Sequence, residues 1–164
     1  MIEVINSSIT LDEFLEILDS IDCEYEVHEN HDENFRWIDC DLYGAEFIVF
    51  PIGPGPFFKA ITLEAIRHAE VDPEMMCTEF NKMQNFASAI PFDLNESYEY
   101  AEGNLVGGSN IVIAIRRHVS LEGGVSKDFL RSAIKFWAGM LLSTLGFFEG
   151  APVEVTDDND EDLI

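Results

Sequence analysis

The side chains that proteins use to bind metal ions are concentrated in one short stretch of the sequence. Residues 26–32 read Glu-Val-His-Glu-Asn-His-Asp, and Cys23 and Cys40 flank them. Imidazole, thiolate and carboxylate groups are the ligands of zinc and similar ions. The spacing of these cysteines and histidines matches no established zinc site, so a polar rim of a β-hairpin is the preferred interpretation and metal binding is the alternative. The candidate ligands are Glu26, His28, His31 and Asp32.

No other motif predicts catalysis or cofactor binding. The turn at residues 53–56 is not followed by the start of a helix, and the glycine-rich residues 103–109 lack the lysine of a phosphate-binding loop. The sequence contains no Gly-x-Ser-x-Gly nucleophile elbow. His68 and His118 each follow an arginine, without an identifiable nucleophile or orienting partner. We therefore expect a protein that is not an enzyme, with no catalytic residues and no cofactor.

The net charge argues against two classes of partner. The 164 residues include 32 Asp and Glu against 9 Lys and Arg, which gives a net charge of −23. Nucleic acid and anionic membrane surfaces require a cationic patch, so neither is expected as a partner. Residues 1–35 carry eleven acidic residues, residues 151–164 carry six, and neither range contains Lys or Arg. Such charge can steer a basic partner, and that binding would weaken with salt.

Cysteine usage and the apolar segments predict a cytoplasmic location. Residues 1–35 have no positive segment before an apolar stretch, as a signal peptide would. The longest apolar stretch, residues 136–148, is too short to span a bilayer. Three cysteines at distant positions favour reduced thiols over a disulfide framework.

Capping signals predict three helices. Thr10 and Glu13 have the spacing of a capping box, which predicts a helix over residues 11–21. Asp72 followed by Pro73 predicts the start of a second helix. A third helix is expected from Ser126, after a Gly-Gly break, to about residue 145.

Segments of alternating or continuous apolar character between these helices predict strands. In residues 37–42, for example, Ile38, Cys40 and Leu42 alternate with Trp37, Asp39 and Asp41. Strands joined by short turns, with helices before, between and after them, indicate an α+β fold with an antiparallel sheet. We expect one domain over residues 1–150, followed by a flexible acidic tail at residues 151–164.

The third helix is apolar on nearly every face from Phe136 onward. One interpretation is that both sides are covered within the fold, because the helix crosses the centre of the sheet beneath the first helix. The other is a second contact, with a partner protein or with a second copy of the chain. The residues that would form this interaction surface are Trp137, Met140, Leu141, Phe147 and Phe148.

Three segments carry a family resemblance. They are the opening helix with the acidic region after it, residues 80–89 with an Asn-containing helix end leading into a strand, and Leu-Glu-Gly-Gly-Val-Ser at residues 121–126 before the apolar final helix. In this order, over most of residues 9–148, the chain resembles the YbjN family, bacterial proteins proposed to regulate sensory transduction. The resemblance implies an α+β fold similar to type III secretion chaperones, and a binding or regulatory module with chaperone-like use of its surface. The family has no agreed catalytic residues, so the resemblance assigns none.

Two functional hypotheses follow. The first is a cytoplasmic protein-interaction or regulatory module that binds a protein partner or itself, for example as a homodimer. The alternative is a sensor domain that responds to a metal or small ligand through the region of His28 and His31.

Overall fold

The fold is known from a computed structural model that describes residues 4–5, 7–31, 35–53, 56–68, 72–93 and 111–148. The strands are β1 (Val4–Ile5), β2 (Ile9–Thr10), β3 (Glu24–Asn30), β4 (Phe35–Leu42), β5 (Ala45–Ile52), β6 (Phe57–Phe58), β7 (Ala60–His68), β8 (Ser88–Asp93), β9 (Ile111–Ser120) and β10 (Val125–Ser126). The helices are α1 (Leu11–Ser20), α2 (Pro73–Met83) and α3 (Lys127–Phe148). This arrangement confirms the predicted α+β class with antiparallel pairing. Of the helices described, none is long and apolar enough to cross a membrane.

The chain divides into two compact units. The first unit comprises Met1–Ala65 and Arg116–Leu142, and the second comprises Ile66–Ile115 and Ser143–Ile164. The predicted single domain over residues 1–150 stays a prediction. The predicted acidic tail at residues 151–164 lies outside the described residues.

In the first unit, a sheet is formed by β3, β4, β5, residues 60–65 of β7 and residues 116–120 of β9, in that order. The pairs β3–β4, β4–β5 and β5–β7 are antiparallel. Three contacts show that β7 and β9 are antiparallel as well: the Leu121 N–H donates to the Lys59 carbonyl, Thr62 contacts His118, and Glu64 contacts Arg116. Short strands complete this unit, with β1 pairing with β10 and β2 pairing with β6.

The turn between β4 and β5 fixes the register of both strands. Tyr43 and Gly44 have φ values of 59° and 84°, the left-handed conformation that a two-residue hairpin turn requires. The Asp41 Oδ1 accepts a hydrogen bond from the Gly44 N–H at 3.0 Å, and Leu42 pairs directly with Ala45. Because strand side chains alternate, this register decides which residues of β4 and β5 share a face.

The inner face of this sheet forms the core of the first unit. It presents Ile38, Leu42, Phe47, Val49, Ile61 and Leu63, all of which are buried. Helix α3 contacts this face through Trp137, whose ring meets Phe47 edge-on with centroids 6.3 Å apart. Helix α1 contributes Phe14, which packs edge-on against Phe58 of β6 at 6.1 Å. Burial of these side chains removes apolar surface from water, which is the dominant favourable term in folding.

Helix α1 begins with the capping box that the sequence predicts. The Thr10 Oγ1 accepts a hydrogen bond from the Glu13 N–H at 3.2 Å, and the Glu13 carboxylate accepts one from the Thr10 N–H at 2.9 Å. Two N–H groups that a helix start leaves without partners are thereby satisfied, which is worth about 0.5–2 kcal/mol. The prediction is confirmed in position and in mechanism.

In the second unit, α2 leads into β8 through a side-chain amide. Helix α2 begins as predicted, with the Asp72 Oδ1 accepting hydrogen bonds from the Glu74 and Met75 N–H groups. At its other end, the Asn81 amide donates to the Ala89 carbonyl at 2.9 Å and accepts from the Ala89 N–H at 2.8 Å. Asn81 therefore pairs with β8 as a neighbouring strand would, which gives the Asn-containing helix end a structural reason.

Candidate functional site

The outer face of the first unit's sheet carries a group of stacked aromatic side chains. His28 on β3 lies directly opposite Trp37 on β4, and their rings stack with centroids 5.0 Å apart and planes 13° from parallel. The Phe35 ring centroid lies 5.7 Å from that of Trp37 and 5.9 Å from that of Phe50 on β5. We call these four residues the aromatic group.

The aromatic group is open to solvent. Phe35 is 45% exposed, while Trp37 and Phe50 are half-buried. Ile52, at an outer-face position of β5, is also exposed. Large apolar side chains that lie together at the surface, rather than singly, mark interaction sites.

Five carboxylates occupy the same face at the end of the sheet near the β4–β5 turn. Glu24 lies opposite Asp41, and Asp41 lies opposite Glu46 on the next strand. Like charges directly opposite each other across strands are destabilising. Their packing on one face therefore costs the free protein some stability, which a cation bound there would restore. The members are Glu24, Glu26, Asp39, Asp41 and Glu46, and we call them the acidic block.

His28 joins the aromatic group to the acidic block. Its Nε2 lies 2.8 Å from the Asp39 Oδ2 and 4.0 Å from the Glu26 Oε2. The Nε2 makes no hydrogen bond, and its 2.8 Å approach to Asp39 is an ion pair only when the imidazole is protonated. The surface thus changes from aromatic to acidic within one strand pair.

An ion pair with a buried carboxylate lies on the outer face where β7 and β9 meet. Glu64 is buried and accepts a hydrogen bond from the Arg116 guanidinium. On the same face, the Thr62 Oγ1 lies 3.4 Å from the His118 Nδ1. A buried carboxylate requires such a partner, because its desolvation is otherwise unfavourable. We interpret Arg116 as the structural partner of Glu64.

The structure separates the two histidines of the predicted metal site. His28 lies on the outer face of β3 beside Asp39, whereas His31 lies in the turn after β3, with its Nε2 3.7 Å from the Glu29 Oε2. Glu29 alternates with His28, so it lies on the opposite face of the strand. In the part of the chain that the structure describes, no three His, Cys, Asp or Glu side chains are grouped to hold a metal ion. Of the candidate ligands, Glu26 and His28 share a face, and Asp32 lies outside the described residues.

The interaction surface predicted on α3 contains residues of the core. Trp137 and Leu141 are 0% exposed, and Met140 is half-buried. The side chains of Phe147 and Phe148 lie outside the described residues. For Trp137 and Leu141 the prediction of a partner contact is corrected, because a side chain without exposed area cannot meet a partner in the folded chain. The exposed apolar residues of this helix are Phe129, Phe136 and Leu142.

The alternation of residues along the sequence already predicts which side chains lie on each face of the sheet. In residues 37–42, apolar Ile38, Cys40 and Leu42 are predicted on one face and Trp37 on the other, and this alternation is confirmed by their burial. The assembly of the aromatic group, however, requires the pairing of three strands. Phe35 and Phe50 come from different strands, so only the register brings their rings together.

Comparison with known proteins gives a structural likeness. No protein-family model matches the chain, and no curated protein sequence matches it. Among solved structures, it is similar to the crystal structure of YbjN from E. coli, a proposed transcription regulator, with 14% sequence identity and a TM-score of 0.49 over 83% of this chain and 91% of that chain. At this identity and TM-score the likeness carries no functional inference, so the family resemblance stays a prediction.

Proposed function

We propose that the chain is a protein-interaction module, without enzymatic activity, that binds a positively charged and partly apolar segment of a partner protein on the outer face of the first unit's sheet. The observation that carries this proposal is the aromatic group lying next to the acidic block on one exposed face. The segment would place apolar side chains on the rings and Lys or Arg side chains against the carboxylates.

The aromatic group supports tight contact because the sheet holds its rings in place. They project from paired strands, and His28 stacks on Trp37. Side chains that are ordered before binding lose less conformational entropy when the complex forms. Aromatic residues are also the side chains that most often dominate the binding energy of interfaces.

The acidic block supports the choice of a cationic partner. Its carboxylates lie opposite one another across three strands, so a bound cation would replace repulsion by attraction. An Arg side chain suits both parts of the surface, because its guanidinium binds carboxylates and also stacks on aromatic rings. The charges are solvent-exposed, so their contribution depends on ionic strength.

The proposal includes a regulatory role in the cytoplasm. A module that covers an apolar, basic segment of another protein controls the availability of that segment, as a chaperone does. Cys23, Cys40 and Cys77 are free thiols, which suits a reducing compartment. Homodimer formation is a competing use of an exposed apolar surface, and the experiment below separates it from partner binding.

The experiment is affinity capture from the lysate of the source cells with matched variants. Phe35→Ser removes an aromatic ring from the site, and Phe57→Ser removes a ring of similar exposure on β6. We expect basic partners to be captured by the unaltered protein and by Phe57→Ser, and to be lost with Phe35→Ser. Capture should also decrease as salt rises from about 0.01 M to about 1 M, over which the Debye length falls from about 30 Å to about 3 Å.

Sedimentation equilibrium of the purified protein gives the second measurement. Self-association that Phe35→Ser abolishes would assign the face to a homodimer and contradict binding of a basic partner. Equal capture by the unaltered protein and Phe35→Ser would also contradict the proposal. So would a strictly monomeric protein that captures no partner.

A further inference from the structure

Two cysteines that are distant in the sequence lie side by side in the first unit. Cys40 on β4 pairs with Tyr25 on β3, and Cys23 precedes Tyr25 by two residues. Cys23 directly precedes β3, and continuing the alternation of that strand places it on the inner face, as a diagonal neighbour of Cys40; the burial of both side chains agrees with this placement. Each is only 5% exposed, and both are free thiols.

Each thiol also has a backbone acceptor. The Cys23 thiol donates to the Glu24 carbonyl at 3.5 Å, and the Cys40 thiol donates to the Ile38 carbonyl at 3.8 Å. Interaction with Cys40 lowers the pKa of Cys23, although burial opposes it, whereas interaction with Cys23 and burial raise the pKa of Cys40. Of the two sulfurs, Cys23 therefore loses its proton first.

Spacing decides which chemistry this pair supports. Diagonal neighbours in an antiparallel sheet are about 7–8 Å apart at Cα, beyond the range of about 4.4–6.8 Å that a disulfide requires. A single ion between the two sulfurs reaches further, because two metal–sulfur bonds of about 2.3 Å span up to about 4.6 Å when they lie in line. An ion can therefore bridge a pair of sulfurs that is too widely spaced for a disulfide without moving the strands.

The residue types select the class of ion. Thiolate is a soft ligand, and soft ligands select Cu(I) over hard divalent ions. Two ligands are too few for the tetrahedral coordination of structural zinc, which uses four. Burial also protects a site of low coordination number from water and from competing thiols.

We propose that Cys23 and Cys40 form a buried dithiol site that binds one soft monovalent cation of the Cu(I) class. Binding replaces thiol protons: two Cys–SH groups and one M⁺ give one S–M–S bridge of net charge −1 and two released protons. Oxidation states do not change, so no oxidant or reductant is needed. The site lies on the inner face and does not depend on the partner binding proposed for the outer face.

The test uses Ag(I), a soft monovalent probe that does not change oxidation state, with Cu(I) as a second probe under anaerobic conditions. Binding is measured by mass spectrometry of the folded protein, with Cys23→Ser and Cys40→Ser as the site variants. Cys77→Ser is the matched control, because Cys77 is also a buried free thiol but lies on α2 in the second unit. Circular dichroism establishes that each variant is folded, and Ala replaces Ser at a position where Ser unfolds the protein.

We expect one tightly bound ion for the unaltered protein and for Cys77→Ser, and loss of that ion in the folded Cys23 and Cys40 variants. Affinity should rise with pH by up to about 100-fold per unit, because two protons leave. X-ray absorption of the Cu(I) complex should show two sulfur ligands and no others. A folded Cys23 or Cys40 variant that retains the ion, or loss of the ion in Cys77→Ser, would overturn the proposal. Absence of tight binding by the unaltered protein would overturn it equally.

A separate measurement tests the spacing argument. The reduced protein is treated with hydrogen peroxide, and free thiols are counted together with peptide mapping. We expect no Cys23–Cys40 disulfide in the folded protein. Rapid formation of that disulfide would mean that the sulfurs approach to bonding distance, and the bridging-ion geometry would then be wrong.

Discussion

The two faces of the β3-β4-β5 sheet are built from the same strands but have opposite properties. On the inner face, Ile38 and Val49 pair across the strands and are both fully buried. On the outer face, one residue away along each strand, Trp37 and Phe50 remain partly open to solvent. Apolar residues are therefore present on both faces, and hydrophobicity alone does not distinguish core from surface. What distinguishes the two faces is that α3 covers the inner one, where its Trp137 packs on Phe47.

We therefore expect the inner face to determine stability and the outer face to determine the proposed binding. Substitutions on the inner face should lower the free energy of unfolding, whatever their effect on partners. Substitutions on the outer face should change partner binding and leave the fold nearly intact.

The largest effect is expected for a charge introduced at the centre of the inner face. Trp137→Glu would bury an unpaired carboxylate where a 0% exposed indole packs on Phe47, and we expect a loss of more than about 4 kcal/mol, enough to unfold the first unit. Chemical denaturation followed by circular dichroism measures it. The control is Phe136→Glu on the same helix, where the side chain is 59% exposed and the cost should stay below about 1 kcal/mol. A folded Trp137→Glu protein with an altered oligomeric state would instead assign Trp137 to an interface.

The next-largest loss of stability is expected for a cavity on the inner face. Ile38→Ala removes buried methyl groups at a 0% exposed position, which typically costs about 2–5 kcal/mol. Phe35→Ala, on the outer face of the same strand, removes a larger side chain and should cost less than about 1 kcal/mol. Urea denaturation of both variants gives the comparison. Equal losses would mean that the outer face contributes to stability as the inner face does.

The Glu64–Arg116 pair is the expected exception on the outer face. Glu64→Gln keeps the shape but removes the charge that Arg116 contacts, and we expect a loss of about 1–3 kcal/mol. Arg116 is partly exposed, so water compensates some of the loss. Partner capture should be unchanged in this variant, since Glu64 belongs to neither the aromatic group nor the acidic block. A variant that is as stable as the unaltered protein but captures no partner would extend the binding surface to β7.

Neutralising the acidic block should change stability and binding in opposite directions. The double variant Glu24→Gln/Asp41→Asn removes a carboxylate pair that faces across β3 and β4, so we expect about 0.2–1 kcal/mol of added stability at low salt. The gain should shrink as salt screens the repulsion. Capture of basic partners should weaken in the same variant. Lower stability together with unchanged capture would contradict the role given to this block.

The smallest effect is expected at Tyr25, near the start of β3, and concerns how stability depends on pH. The Tyr25 hydroxyl donates a hydrogen bond to Asp19, which raises its pKa above the ordinary value of 10.0. Folding therefore favours the protonated phenol. This contribution is fully present below pH 10 and decreases as the pH rises above it, because the unfolded chain then loses its proton first. Tyr25→Phe should reduce the alkaline loss of stability, and a curve identical to that of the unaltered protein would show that the hydrogen bond contributes nothing.

Local signals predicted individual elements better than they predicted the site. The capping box at Thr10 and the cap at Asp72 act within four residues of chain, and both are found where the sequence places them. Helix α3 was harder because apolar residues occur on several of its faces. Trp137 is buried and the adjacent Phe136 is exposed, although both are large aromatic residues. Only the position of the sheet determines which of the two enters the core.

The sequence by itself determined the class of fold, the helix starts and the alternation of residues along strands, because these depend on neighbours within a few positions. It also determined the acidic character of the chain. Tertiary structure decided which distant residues meet. The register of β3 on β4 places Cys23 beside Cys40 and stacks His28 on Trp37, and it separates His28 from His31, which are only three residues apart. The reason is geometric: strand side chains alternate with a period of two, so a one-residue change in register would exchange the two faces.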